Sequence, residues 1–312
     1  MTGVPLRIGI DIGGTKIAGV LMDDAGIELA SAREPTPRGD YAGVIDTVAA
    51  IVSRLATRAG GPVTVGIGMP GSVSPLSGLV QNANSTWING KAFQSDLETA
   101  LAMPVRLAND ANCLALSEAL DGAGTGAESI FGVILGTGCG GGLVVHGKLM
   151  AGPHGVGGEW GHNPLPWAHD DEHPGPECWC GRRGCMETWV SGPALARDHQ
   201  AMTGEALSSE DISSRAQAGD AAAQATLDRH LDRTARGLAH VVNIVDPEVI
   251  VIGGGLVDLP GLVGRLPAAI APHVFADAVD IKVKAAHHGP ISGVRGAARL
   301  WDDERQQEAA SP

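Results

Sequence analysis

Apolar positions fall into short runs that end in glycine or polar clusters, separated by stretches of helical spacing. Leu6–Ile10 is an apolar run that enters Asp11-Ile12-Gly13-Gly14-Thr15-Lys16. Residues 17–22 resume the run and Asp23-Asp24-Ala25-Gly26 supplies a turn, so the pattern predicts a strand, a glycine loop and a hairpin partner. Within 41–59 the apolar residues Val44, Ile45, Val48, Ile51, Val52 and Leu55 have the period of a helix face. Strands are expected at 63–67, ending in Gly68-Met69-Pro70-Gly71, and at 105–107, ending in Asn109-Asp110, with a helix over 111–120.

After Asp121-Gly122-Ala123-Gly124-Thr125-Gly126 the pattern restarts. Residues 129–135 read as a strand entering Gly136-Thr137-Gly138-Cys139-Gly140-Gly141-Gly142, and 143–145 begin its hairpin partner. A long helix is expected over 221–245, a strand over 249–252 before Gly253-Gly254-Gly255, and a last helix over 293–301. Strands that alternate with helices and end in polar loops indicate an α/β architecture with its sites at the strand ends. The repeated strand–glycine loop–strand unit suggests an internal duplication. It divides the chain into a small α/β lobe, 1–120, and a larger one, 121–292, with residues 293–302 packing back on the first.

Composition narrows the function. Hydrophobic residues make up 44% of the 312 residues and aromatics only 3%, so the cores must be built from Val, Ile, Leu and Ala. The formal charge of −13 offers no basic stripe for a phosphate backbone, which argues against nucleic acid as partner. No secretory signal is read in residues 1–14, and the apolar region 238–257 is interrupted by Asp246, Pro247 and Glu248, so no membrane span is expected. Five cysteines, three of them clustered, fit a reduced, cytoplasmic protein with a metal site better than a disulfide framework.

That cluster is Cys178-Trp179-Cys180-Gly181-Arg182-Arg183-Gly184-Cys185, sixteen residues after His162. Three thiolates and one imidazole make a closed tetrahedral set suited to structural zinc. His154, His169 and His173 are rival imidazoles, the last two in a run, 168–173, that reads as a solvated loop. Glu159 and Glu187 flank the ligands and suit either sugar hydroxyls or charge balance around the ion. The Asp11–Lys16 loop can cradle phosphate oxygens on its backbone N–H groups, with Asp11 near a hydrated Mg²⁺, or can be an ordinary glycine hairpin. Gly136-Thr137-Gly138 in the equivalent place of the second half favours two loops clamping a polyphosphate. Asn109-Asp110 can cap a helix or supply the group that accepts a hydroxyl proton in phosphoryl transfer, and the helix dipole would keep Asp110 ionised. The loop Asn82-Ala83-Asn84-Ser85-Thr86-Trp87 suits a polyhydroxylated ring, and equally a surface turn.

Taken together these motifs resemble the ROK family, which groups bacterial sugar kinases with sugar-responsive repressors. The resemblance runs from Ile8 to Gly296 through Asp11-x-Gly13-Gly14-Thr15-Lys16, Asn109-Asp110, Gly136–Gly142, Gly158-Glu159-x-Gly161-His162 and Cys185-x-Glu187. It implies the two-lobed actin-like ATPase (ribonuclease H-like) fold of hexokinase type and ATP-dependent phosphorylation of a hexose. Asp110 is then the base. Gly13, Gly14, Thr15, Lys16, Gly136, Thr137 and Gly138 hold ATP phosphates, Asp11 stands near Mg²⁺, and Gly254 and Gly255 lie by the adenosine. Asn84, Asn109, Glu159, His162 and Glu187 face the sugar, and His162, Cys178, Cys180 and Cys185 bind zinc. Within the family, Asn84–Gly90 and Gly158–Trp167 most resemble fructokinases of the mannofructokinase type, implying fructose phosphorylated at O6, with residues 84–90 and Trp160 setting specificity. Glucokinase, mannokinase and N-acetylhexosamine kinase activities are the alternatives, followed by a non-catalytic sugar-binding regulator. A homodimer is implied as well. A repressor would need a helix-turn-helix ahead of the sugar domain, and the Asp11 loop begins too early for one.

Overall fold

The computed structural model describes residues 6–302. Its first half contains β1 (Leu6–Ile12), β2 (Lys16–Met22), β3 (Glu28–Pro35), α1 (Tyr41–Ala59), β4 (Val63–Met69), β5 (Ser72–Val73), β6 (Val80–Gln81), α2 (Phe93–Leu101), β7 (Val105–Asn109) and α3 (Asp110–Asp121). The second contains β8 (Ser129–Leu135), β9 (Cys139–Val145), β10 (Lys148–Leu149), α4 (Glu187–Val190), α5 (Gly192–Thr203), α6 (Ser209–Gln217) and α7 (Ala221–Val245). It closes with β11 (Val249–Gly253), α8 (Leu262–Ile270), β12 (Val283–Ala285) and α9 (Ser292–Ala298).

The duplication is visible in the sheets. One five-stranded sheet has the order β3-β2-β1-β4-β7 and the other β10-β9-β8-β11-β12. In each, an antiparallel hairpin precedes two strands parallel to its first member. This is the α/β, hexokinase-like fold expected from the motifs. One apolar core lies around α1 and the first sheet, with Ile8, Ile10, Val48, Ile51 and Ile67 fully buried. A second surrounds α7, β8 and β11, with Val133, Ala235, Leu238 and Ile252 at its centre. Among the described residues no helix is long and apolar enough to cross a membrane.

Helices α3 and α9 cross between the sheets. A Cβ on Gly296 would overlap the Cys113 carbonyl, so only glycine allows the two backbones to approach this closely. Helix α9 lies on β1 and β4, whereas α3 lies on β8 and β9. Glu118 of α3 is fully buried and accepts from the N–H groups of His287 and His288 and from the Ser292 hydroxyl, which fixes α9 at its N-terminal end. The last helix is shorter than the predicted 293–301, because the chain turns at Arg299.

Candidate functional site

The glycine loops after β1 and β8 end the two sheets on the same side and face each other across a cleft. Gly13, Gly14 and Thr15 line one wall and Thr137, Gly138 and Gly140 the other, around a cavity of about 380 Å³. The loop after β1 is held by the Gly13 N–H on the Lys16 carbonyl (3.0 Å) and the Thr36 hydroxyl on the Gly13 carbonyl (2.7 Å). Asn84, Asn109, Asp110, Glu159, His162 and Glu187 line the same cavity, so the expected sugar ligands and base come together.

Each is placed by local chemistry. Asn109 caps α3: its Oδ1 accepts from the Ala111 N–H (2.9 Å) while its Nδ2 donates to the Gly71 carbonyl (3.3 Å). Asp110 also accepts from that N–H, through Oδ1 at 2.8 Å, which leaves Oδ2 as its second acceptor. Asn109 thus fills the cap weighed for this pair, and Asp110 lines the cleft. The Asn84 loop is pinned by Asn89, whose side chain accepts from the Ala83 N–H and donates to the Ala83 carbonyl, both at 2.9 Å. Glu187 accepts from the Cys139 N–H (3.0 Å) through Oε2. A Cβ on Gly138 would lie 2.7 Å from that oxygen, so glycine there is what lets the carboxylate reach the loop.

The carboxylates share one electrostatic condition. Burial pushes Asp110 above the usual carboxylate range, against the opposing pull of the Ala111 N–H. Burial, reinforced by the charge of Asp110, lifts Asp11 to about 7, with Lys16 only partly opposing it. Burial and the charges of Asp110 and Glu187 also raise Glu159. Helix-terminus stabilisation of an ionised, weakly basic Asp110 is thus outweighed by its enclosure.

Gly136, Gly254 and Gly255 border the cleft beyond Thr137 and are not part of its lining. Gly254 has φ +88° and a Cβ there would overlap the Leu135 carbonyl oxygen, and the Gly255 nitrogen lies 3.6 Å from the Cβ position of Gly136. Asp11 sits beneath the floor beside Asp110, and Lys16 is exposed at the base of the hairpin, outside the lining.

His162, Cys178, Cys180 and Cys185 present ligand atoms that all lie within 4.8 Å of one another. The Cys178 Sγ is 3.6 Å from His162 Nδ1 and the Cys180 and Cys185 sulfurs are 3.6 Å apart. Zinc–sulfur bonds of about 2.3 Å put tetrahedral sulfurs about 3.8 Å apart, so the donor set fits zinc in both chemistry and spacing. Among the described residues the rivals His154, His169 and His173 are outside this group. With Nδ1 toward the thiols, Nε2 of His162 is the ring nitrogen left for the cleft.

Trp160, expected to tune specificity, is buried. Its indole donates to the Gly140 carbonyl (2.9 Å) and its ring packs edge-on against Phe131, so it belongs to the second core. Conversely, Arg38, Asn82 and Trp179 line the cleft and are not among the expected site residues. Asn82 lies in the loop singled out for its amides. Arg38 donates to the Gly14 carbonyl. Its only sequence signal is a lone cation in Pro37-Arg38-Gly39, and Trp179 reads in sequence as a spacer between thiols.

A family model described as the ROK family matches residues 7–304. An N-acetyl-D-glucosamine kinase of Pasteurella multocida (strain Pm70) is 38% identical over 301 residues, covering 95% of this chain and 99% of that protein. An N-acetyl-D-glucosamine kinase of Escherichia coli O9:H4 (strain HS) is 40% identical over 298 residues, covering 94% and 98%. Among solved structures, a ROK hexokinase from Thermus thermophilus superposes with a TM-score of 0.85 at 32% identity, covering 97% of this chain and 99% of that one. A ROK glucokinase from Streptomyces griseus, in complex with glucose and AMPPNP, gives a TM-score of 0.79 at 29% identity, covering 95% and 98%. Where the loop resemblance implied a fructokinase, both sequence relatives are named for N-acetyl-D-glucosamine.

Proposed function

The chain belongs to the ROK family and is a sugar kinase that phosphorylates a hexose with ATP, and we propose that its hexose is N-acetyl-D-glucosamine. The observation that carries this substrate is the relationship to the two N-acetyl-D-glucosamine kinases, at 38% and 40% identity over nearly the whole chain. The cleft supports it with amide, imidazole and carboxylate groups on one floor, which suit hydroxyls and an acetamido group alike.

In this reading the sugar lies against Asn84, Glu159, His162 and Glu187 with its attacking hydroxyl at Oδ2 of Asp110. Oδ1 is held by the Ala111 N–H, so the base has one orientation. The hydroxyl oxygen forms its bond to the γ-phosphorus as the bond to the ADP oxygen breaks, and its proton passes to Asp110. A carboxylate with a raised pKa is a better acceptor for that proton. The two glycine loops hold the phosphates, with Gly254 and Gly255 toward the nucleoside. Asp11, beside Asp110 and only partly offset by Lys16, would hold a hydrated Mg²⁺, which would neutralise phosphate charge. Zinc on His162 and the three cysteines would fix the loop that carries Trp179 and precedes Glu187. The lobes divide near residues 120–127, with 293–302 returning to the first.

ADP release measured across N-acetylglucosamine, N-acetylmannosamine, glucose, mannose and fructose tests the substrate. The highest kcat/KM is expected for N-acetylglucosamine. A lead for fructose would restore the loop-level reading in its place.

A further inference from the structure

Trp179 lies in sequence between two of the candidate metal ligands, Cys178 and Cys180. It is 48% exposed although the preceding Cys178 is buried, and its ring is part of the cleft lining. The indole Nε1–H donates to Glu187 Oε1 at 2.6 Å, and the ring meets His162 edge-on with centroids 4.9 Å apart. The other oxygen of Glu187 accepts from the Cys139 N–H. Both carboxylate oxygens are therefore held, one from the metal loop and one from the glycine loop.

We propose that Trp179 is a positioning residue that presets Glu187 for the hexose and so ties hexose affinity to the metal loop. This rests on Glu187 facing the sugar in the cleft described above. A free glutamate side chain has several rotatable bonds, and ordering them on binding subtracts from affinity. A donor already in place removes that cost, and a hydrogen bond to a carboxylate is among the stronger kinds. Indole is suited to the task because its nitrogen only donates. Its bulk against His162 also limits where Glu187 can go. An exposed tryptophan serving merely as an apolar wall would need no such donor geometry, so removing the N–H while keeping a ring separates the two roles.

The test compares wild type, Trp179→Phe, Trp179→Gln and Trp179→Phe combined with Glu187→Gln, all as zinc-replete full-length protein. Phe keeps an aromatic wall without the donor; Gln restores a donor at the same number of bonds from Cα. Trp179→Phe is expected to raise KM for the best hexose of the panel about tenfold, with kcat within about twofold and KM for ATP and zinc content unchanged. Trp179→Gln should recover part of the loss, and the Phe effect should vanish when Glu187 is already Gln. Wild-type hexose KM in Trp179→Phe overturns the proposal. A readout free of sugar is the Trp179 indole N–H resonance, identified by its loss in Trp179→Phe. It should move in Glu187→Gln, and an unmoved resonance overturns the contact. If no hexose in the panel is phosphorylated, the functional reading alone fails and this resonance decides the positioning claim.

Discussion

Glu172 and Asp110 are both carboxylates enclosed by protein, and their surroundings treat them in opposite ways. Glu172, 5% exposed, receives Arg233 at 2.8 Å and Arg236 at 2.8 and 2.9 Å. Asp198 beside it takes Arg229 and Arg233. Burial alone would raise Glu172, yet these guanidiniums and the His169 N–H draw it down to about 2. Around Asp110 burial outweighs the backbone N–H groups that oppose it, its pKa rises, and its charge in turn raises Asp11 and Glu159. The network at Glu172 is neutralised at its assembly and ties α7 to the 169–172 turn. The cleft carries an excess of negative charge that a bound cation or a transferred proton can relieve. Carboxylates with raised pKa values concentrated in one cavity mark a functional site more sharply than the charge count of the chain.

Replacing the two residues should separate these roles. Asp110→Ala removes the proposed proton acceptor, and kcat should fall about a thousandfold, with the urea midpoint unchanged or slightly higher. Near-normal turnover would dismiss Asp110 as the base. Glu172→Ala should act in the reverse sense. It leaves Arg233 and Arg236 buried without their common partner, costing about 3 kcal/mol of unfolding free energy, while the kcat of the molecules still folded is retained. Urea denaturation followed by circular dichroism measures the first quantity, and activity normalised to the folded fraction the second. A stable Glu172→Ala protein with low turnover would erase the contrast between the two sites.

This contrast is only half legible in the sequence. The long elements are readable: α1 and α7 have the predicted bounds because an amphipathic period repeats over many turns. Strand β3 gives no such signal, since Glu28–Pro35 is largely exposed and carries alanine where a strand pattern would need larger apolar residues. The glycine loops, Asn109-Asp110 and the thiol cluster declare themselves by local composition, and they meet in space because the half-fold is repeated. Contacts between distant segments leave no such trace. Glu172 reads in sequence as part of a solvated loop, because the arginines that claim it lie more than sixty residues away. Trp160 leaves its expected place for the same reason: its burial depends on Phe131, which is not adjacent in sequence.

Asp11 gives the most direct measure of the excess negative charge. Its folded pKa, about 7, lies above its ordinary value of 3.8. A group raised in the folded state contributes fully below the unfolded pKa, and that contribution is lost as pH rises through the folded one. The nucleotide-free protein should therefore lose stability between about pH 4 and pH 7. The two values are about three units apart, which sets the loss at on the order of 4 kcal/mol. Asp11→Asn should flatten this segment of the stability–pH profile and make the nucleotide-free protein more stable at pH 8. Mg²⁺ with nucleotide should flatten it in the wild type only, because the cation then supplies the charge that arginine supplies at Glu172. A profile unchanged by Asp11→Asn would mean that the excess charge is borne by Asp110 and Glu159 instead, and would move the cation site away from Asp11.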